Sequence, residues 1–334
     1  MEITTDVAII GGGPVGLFAV FELGMLKCRA VVIDTLPAVG GQCTALYPEK
    51  PIYDIPGFPS VAATELIKHL ENQAAPFAPQ YVLGEQVTEC SKTENGWKLV
   101  TNDCTTLNVK AVIIAAGCGA FGPNRPPLEG IEHYEATSVH YMVARREDFR
   151  NKNIVIAGGG DSAVDWAVSL AEVAAKIYVV HRRDKFRAAP DMVDKMQALA
   201  HTGNIEMVVP YQLEALEGDS KALSAVLVRD MDGNTRSLDA QHLLAFFGLS
   251  MELGPIANWG LNLERSHITT DRGTMQTSEP GIFAIGDIAT YDHKLKLILC
   301  GFAEAAHAAH AIRDIVYPGV AYHFEYSTSK GVGA

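Results

Sequence analysis

The chain has 334 residues, enough for two domains with cores of their own. Hydrophobic residues make up 48% and charged residues 20%, which excludes a disordered chain. A formal net charge of −12 argues against general nucleic-acid or anionic-membrane binding, and no apolar run reaches the length of a membrane span.

Val7-Ala8-Ile9-Ile10 reads as a buried strand that begins within a few residues of Met1. No signal pattern precedes it. The six cysteines, at 28, 43, 90, 104, 118 and 300, form no C-x-x-C pair. The cysteine usage points to a reducing cytoplasm and argues against a disulfide framework or zinc site.

The strand runs into Gly11-Gly12-Gly13-Pro14-Val15-Gly16, in which Gly11, Gly13 and Gly16 fit G-x-G-x-x-G. Such glycines serve a tight turn, close approach of backbone to a pyrophosphate, and packing of the next helix on the strand. Pro14 suits the first helical position, and the helix N-terminus offers unpaired N–H groups to phosphate. A second strand, Ala30–Ile33, ends in Asp34, an acid placed to bind a ribose hydroxyl. An ordinary glycine turn in a βα unit is the plainer alternative; strand, helix and distal acid together favour a dinucleotide.

Residues 36–54 are dense in glycine and proline, too irregular for helix or strand, and of the kind that lines sites. Leu66, Ile67 and Leu70 predict a helix from about Thr64 to Ala75 behind a threonine cap. Alternation on either side of Asn95-Gly96 predicts a hairpin, and Ala111–Gly117 a buried parallel strand ending at glycine.

The pattern then repeats. Ile154–Ala157 leads into Gly158-Gly159-Gly160-Asp161-Ser162-Ala163, where Gly158, Gly160 and Ala163 fit G-x-G-x-x-A. An alanine-rich helix and the strand Ile177–Val180 follow, then a hairpin turn at Asp232-Gly233 and the apolar strand Leu243–Gly248. Two homologous dinucleotide-binding domains are implied. The fold class is α/β: two Rossmann-like domains, each a parallel sheet with an antiparallel meander.

The second strand of the repeat ends not in an acid but in His181-Arg182-Arg183-Asp184-Lys185-Phe186-Arg187. Arginine at this point accommodates a 2′-phosphate, so NADP(H) is expected here rather than NAD(H). Arg183 and Arg187 share a face if the segment is helical. Near the C-terminus, Ile282–Ile285 ends in Gly286-Asp287, a strand that returns the chain to the first domain. Asp287 there favours FAD as the first dinucleotide. The expected division is residues 1–120 with 250–334 for FAD, and 121–249 for NADP(H).

Together these motifs resemble the two-dinucleotide-binding flavoproteins, and more narrowly the thioredoxin reductase fold. Thioredoxin reductases carry a C-x-x-C pair shortly before the second glycine loop. The corresponding slot here, Tyr141-Met142-Val143-Ala144, has no cysteine, and a dithiol relay needs thiols. What remains closely resembles the bacterial ferredoxin–NADP reductases of thioredoxin-reductase type. The resemblance runs essentially end to end. It is carried by Gly40-Gly41-Gln42, Ala45–Lys50, Gly158–Ala167, His181–Ala188 and Tyr326–Ser329.

The resemblance implies FAD contacts at Asp34, Gln42, Tyr47, Val87, Phe121, Asp287 and Thr328, with Tyr47 and Tyr326 on opposite flavin faces. It implies a homodimer whose C-terminal tail reaches the partner's flavin, and ferredoxin or flavodoxin as acceptor. Hydride would pass from NADPH to the flavin and electrons singly to the acceptor, with no acid, base or nucleophile required from the protein. A quinone-type flavin reductase and a non-catalytic FAD/NADP(H) redox sensor are the competing readings. Cys43 stands where an aliphatic residue is common in the family and is read as a buried thiol. Lys50, Lys294 and Lys296 are candidates for docking an acidic partner.

Overall fold

A computed structural model describes residues 1–135, 137–219, 222–321 and 331. The chain divides into two compact units: Met1–Phe121 together with the chain from Met251, and Gly122–Ser250. It passes between them on the strands Ala120–Pro123 and Leu249–Glu252, which neighbour each other in a two-stranded ribbon.

The first unit is built on a parallel sheet with spatial order Ile282–Ala284, Ala111–Ile114, Val7–Ile10, Ala30–Asp34 and Gln80–Leu83. Its inner strands are apolar on both faces because both faces are covered. Successive side chains point to opposite sides. Ala8, Ile10, Val31, Ile33, Val112 and Ile114 therefore pack with the meander residues Trp97, Leu99 and Leu107. Their neighbours Val7, Ile9, Val32 and Ile113 pack with Ala19 and Leu23 of the helix Pro14–Met25, and with Ala305 and Ala308 of the helix Ile298–Val316. Ile9 and Ile113 have no exposed surface. Truncating either to Ala is worth about 2–5 kcal/mol.

The meander is the antiparallel set Val87–Thr93, Gly96–Thr101 and Thr106–Val109. Glu2–Thr4 joins its edge in parallel. The predicted helix runs Ala63–Ala74 and is not capped by a threonine. Its first N–H groups donate instead to loop carbonyls, Ala63 to Lys50 and Thr64 to Pro48. The glycine- and proline-dense segment is less irregular than expected. It contains a helical turn, Gln42–Ala45, and a strand, Pro51–Ile52, paired with Val61–Ala62.

The second unit repeats the plan with a parallel sheet ordered Val139–His140, His242–Ala245, Asn153–Ala157, Lys176–Val180 and Ile205–Val208. Its helices are Asp161–Leu170 and Pro190–Thr202. Its meander is Gln212–Asp219, Ala222–Arg229 and Thr235–Asp239. The turn at Asp232-Gly233 closes on Asp230, whose carboxylate accepts the N–H groups of Asp232 and Asn234. Residues 181–187 form no helix, contrary to the shared-face expectation for Arg183 and Arg187. The Arg187 N–H donates to the Gly159 carbonyl at 2.7 Å, so this stretch is pinned to the glycine loop instead.

Candidate functional site: two glycine loops and a cleft

In the first unit the strand Val7–Ile10 delivers the chain to Gly11 at φ +112°, a conformation that disfavours a side chain. A Cβ there would also collide with the Ala115 carbonyl just past the adjacent strand, and one at Gly16 with the Gly11 carbonyl. Gly13, by contrast, faces open space, with nothing within 4 Å of where a Cβ would stand. It is the N-cap of the helix Pro14–Met25, which has Pro14 in its first turn, no capping side chain and no acid there. A bare, positively polarised helix end thus opens onto a cradle that suits an anion.

That cradle is the floor of a cleft lined by Gly11, Gly13, Pro14, Asp34, Gln42 and Tyr47, with Val87 and Asp287 also on its walls. Gly16 packs beneath it. Phe121 lies on the strand Ala120–Pro123. Tyr326 and Thr328 lie outside the described residues.

Asp34 is fixed by two backbone donors, Gly12 N–H to Oδ2 at 2.6 Å and Leu36 N–H to Oδ1 at 2.8 Å. Each oxygen keeps a second acceptor site for a ribose hydroxyl. Burial raises its carboxyl above the ordinary range, against the opposing pull of the Leu36, Gly12 and Thr35 N–H groups. Half-buried Tyr47 accepts a long contact from the Cys43 thiol, Sγ to Oη 3.9 Å, and Lys50 Nζ lies 5.7 Å from its ring centroid. Burial pushes the Tyr47 hydroxyl up and the Cys43 thiol to about 11, so both stay protonated at neutral pH. Gly286-Asp287 enters from the strand Ile282–Ala284, on a single 3-10 turn. A glycine cradle, an oriented carboxylate and an aromatic wall fit a flavin dinucleotide.

In the second unit a Cβ at Gly158 would crowd the Phe246 carbonyl, and one at Gly159 the His181 ring. Gly160 caps the helix Asp161–Leu170, again without a side-chain bond, and Ser162 is exposed in its first turn while Ala163 is buried. Asp161 Oδ1 accepts the Ala189 N–H at 3.0 Å, tying the helix start to the arginine segment. His181 packs on Phe186 with ring centroids 5.2 Å apart. Burial lowers its pKa, and Arg182, Arg183 and Arg187 lower it further, so the imidazole is neutral at pH 7. Those three arginines are exposed and make no ion pair among the described residues. Three uncompensated guanidinium groups beside a glycine loop suit a phosphate.

Of the lysines offered for docking, Lys294 is not on the surface. Its side chain is 6% exposed and paired with Glu304. Lys296 Nζ meets His267 Nε2 at 2.6 Å. Sequence reading missed the Gly12–Asp34 bond and the Glu304 cluster, because each forms only when a loop or turn folds back onto another element.

Residues 5–312 match the family described as pyridine nucleotide-disulphide oxidoreductase. A ferredoxin–NADP reductase of Paramagnetospirillum magneticum is 59% identical over 98% of this chain and 98% of its own. Another, of Granulibacter bethesdensis, is 60% identical over 99% and 95%. Among solved structures, thioredoxin reductase of Lactococcus lactis superposes with TM-score 0.80 at 26% identity, covering 93% of this chain and 99% of its own. The chain therefore belongs to the pyridine nucleotide-disulphide oxidoreductases, on the ferredoxin–NADP reductase branch that shares the thioredoxin reductase fold.

Proposed function

We propose that this chain is an FAD-dependent oxidoreductase that moves electrons between NADPH and ferredoxin. The observation that carries the reading is the 59–60% identity, over nearly the whole chain, to relatives named ferredoxin–NADP reductase. The chemistry of the residues agrees with it. FAD, when bound, supplies the exchange between two-electron and one-electron transfer. The protein supplies position and electrostatics.

The first unit is the FAD-binding domain. Gly11, Gly13 and Gly16 shape the cradle, and the helix behind Gly13 and Pro14 directs its N–H groups to the pyrophosphate. Asp34 accepts from ribose. Gln42, Tyr47, Val87 and Asp287 meet the flavin end, with Phe121, Tyr326 and Thr328 carried over from the family resemblance. The second unit is the NADP(H)-binding domain. Gly158, Gly160, Asp161, Ser162 and Ala163 form its phosphate loop, while His181, Arg182, Arg183 and Arg187 surround the 2′-phosphate.

A dithiol relay has no material here: residues 141–144 hold no cysteine, and all six cysteines are free. Flavodoxin as a second acceptor, a homodimer and a cytoplasmic location complete the reading. They rest on the family resemblance and on cysteine usage. No helix of the described residues is long and apolar enough to cross a membrane.

The test is turnover with candidate acceptors under NADPH. Ferredoxin is expected to exchange electrons with the holoprotein faster than quinones do. Equal or faster turnover with quinones alone would support the flavin-reductase alternative, and absence of flavin reduction by NADPH the sensor alternative.

A further inference from the structure

Beneath the turn that carries Asp287 lies a buried ionic cluster that the electron-transfer chemistry does not use. Glu304, on the helix Ile298–Val316, and Lys294, on the loop before it, have side chains 4% and 6% exposed. Glu304 Oε1 accepts from Lys294 Nζ and, at 2.7 Å, from the Tyr291 hydroxyl. Its other oxygen, Oε2, accepts the backbone N–H of Gly286 at 2.7 Å. Lys294 Nζ also lies 5.3 Å from the Tyr291 ring centroid.

Taking two charges out of water costs several kcal/mol per ion, and an apolar pair of the same volume often serves stability as well. Stability alone is therefore a weak reason for this pair. Its placement suggests another. Gly286 sits at φ +74°, at the start of the turn that sets the direction of Asp287. Its N–H is buried, and Glu304 is the acceptor that satisfies it. Val15, the residue after Pro14 in the phosphate-binding helix, packs against both Gly286 and Gly301 on the Glu304 helix. The Gly286 turn thus meets the Glu304 carboxylate on one side and Val15 of the phosphate-binding helix on the other, and Val15 also packs on the Glu304 helix at Gly301.

We infer that Glu304 is a positioning residue for the flavin: it fixes the Gly286 turn, and so the placement of Asp287, while Lys294 and Tyr291 hold it in place. The inference rests on the reading that Asp287 faces FAD. It requires an acceptor at position 304, not a charge.

Two double variants separate these requirements, both uncharged and close in volume. Lys294→Met/Glu304→Gln keeps an amide oxygen for Gly286; Lys294→Met/Glu304→Leu does not. FAD affinity is measured by titrating the apoproteins, with apoprotein melting followed in parallel. The Gln variant is expected within about threefold of the wild-type Kd, and the Leu variant about tenfold or more weaker, because a buried donor is left unpaired. Equal affinity of the two variants overturns the inference. Should either fail to fold, Tyr291→Phe decides. It leaves the ion pair and removes one bond to Glu304, and is expected to weaken FAD binding about threefold; an unchanged Kd overturns the inference. A folded wild-type apoprotein that takes up no FAD would instead end the flavin reading itself.

Discussion

The backbone N–H of Gly12 donates to Asp34 Oδ2 at 2.6 Å, although 22 residues separate the two. The acid at the end of the second strand thereby shapes the glycine loop as well as presenting itself to a ribose. Replacing Asp34 by Ala removes both roles. FAD binding to the apoprotein is expected to weaken by about 2–4 kcal/mol, the sum of a charged bond to ribose and a loosened loop. Asp34→Asn keeps one acceptor oxygen but loses the other and the charge, so its loss should be smaller than that of Asp34→Ala. Fluorescence titration of apoprotein with FAD checks both.

Arg182 and Arg183 are exposed and without ion-pair partners among the described residues. Each charged hydrogen bond to a 2′-phosphate is worth roughly 1.5–3 kcal/mol. Arg182→Ala and Arg183→Ala should each raise the KM for NADPH at least about tenfold and leave that for NADH little changed. Steady-state kinetics with both nucleotides reads this directly. Equal losses would assign the arginines to the fold.

The thiols should divide by burial. Burial pushes Cys43 to about 11 and Cys28 and Cys90 to about 12, while Cys104 is exposed. A thiol reagent at pH 8 should label Cys104 first and leave Cys28, Cys43 and Cys90 unmodified until the protein unfolds. Mass spectrometry of the labelled protein locates the sites. Early modification of Cys43 with loss of electron transfer would reveal a thiol step.

Asp6 provides a pH test in the first unit. Burial opposes its charge, but the Arg29 backbone N–H, Lys110 and the Arg29 side chain outweigh burial and lower its pKa below 3.8. Its contribution to stability is therefore present above the unfolded value and is lost as pH falls through the folded one. Asp6→Asn should cost about 1–2 kcal/mol at pH 7, modest because Arg29 and Lys110 stand largely in solvent. The difference from wild type should shrink below about pH 4. Urea unfolding at the two pH values measures it.

The parts legible in the sequence were those written in local pattern. The apolar runs Val7–Ile10 and Ala111–Ile114, the two glycine loops, and the contrast between Asp34 and the arginines after Val180 each announce themselves within a few residues. The parts that were not legible depend on side chains meeting across the fold. Lys294 reads as a surface lysine, yet it is buried and paired with Glu304 on the following helix. The arginine segment has helical spacing, yet the Gly159 carbonyl claims the Arg187 N–H and the chain bends instead of coiling. Thr64 looks like a helix cap, but the carbonyls of Pro48 and Lys50 were already available to the helix start.

The most direct test of the central claim compares two acceptors with one protein. Holoprotein is mixed anaerobically with NADPH and either a [2Fe–2S] ferredoxin or oxidised thioredoxin, before and after full alkylation of the accessible thiols. The account predicts electron exchange with ferredoxin that survives alkylation, and no reduction of thioredoxin. Thioredoxin reduction, or ferredoxin transfer abolished by alkylation while the flavin is still reduced by NADPH, would contradict it.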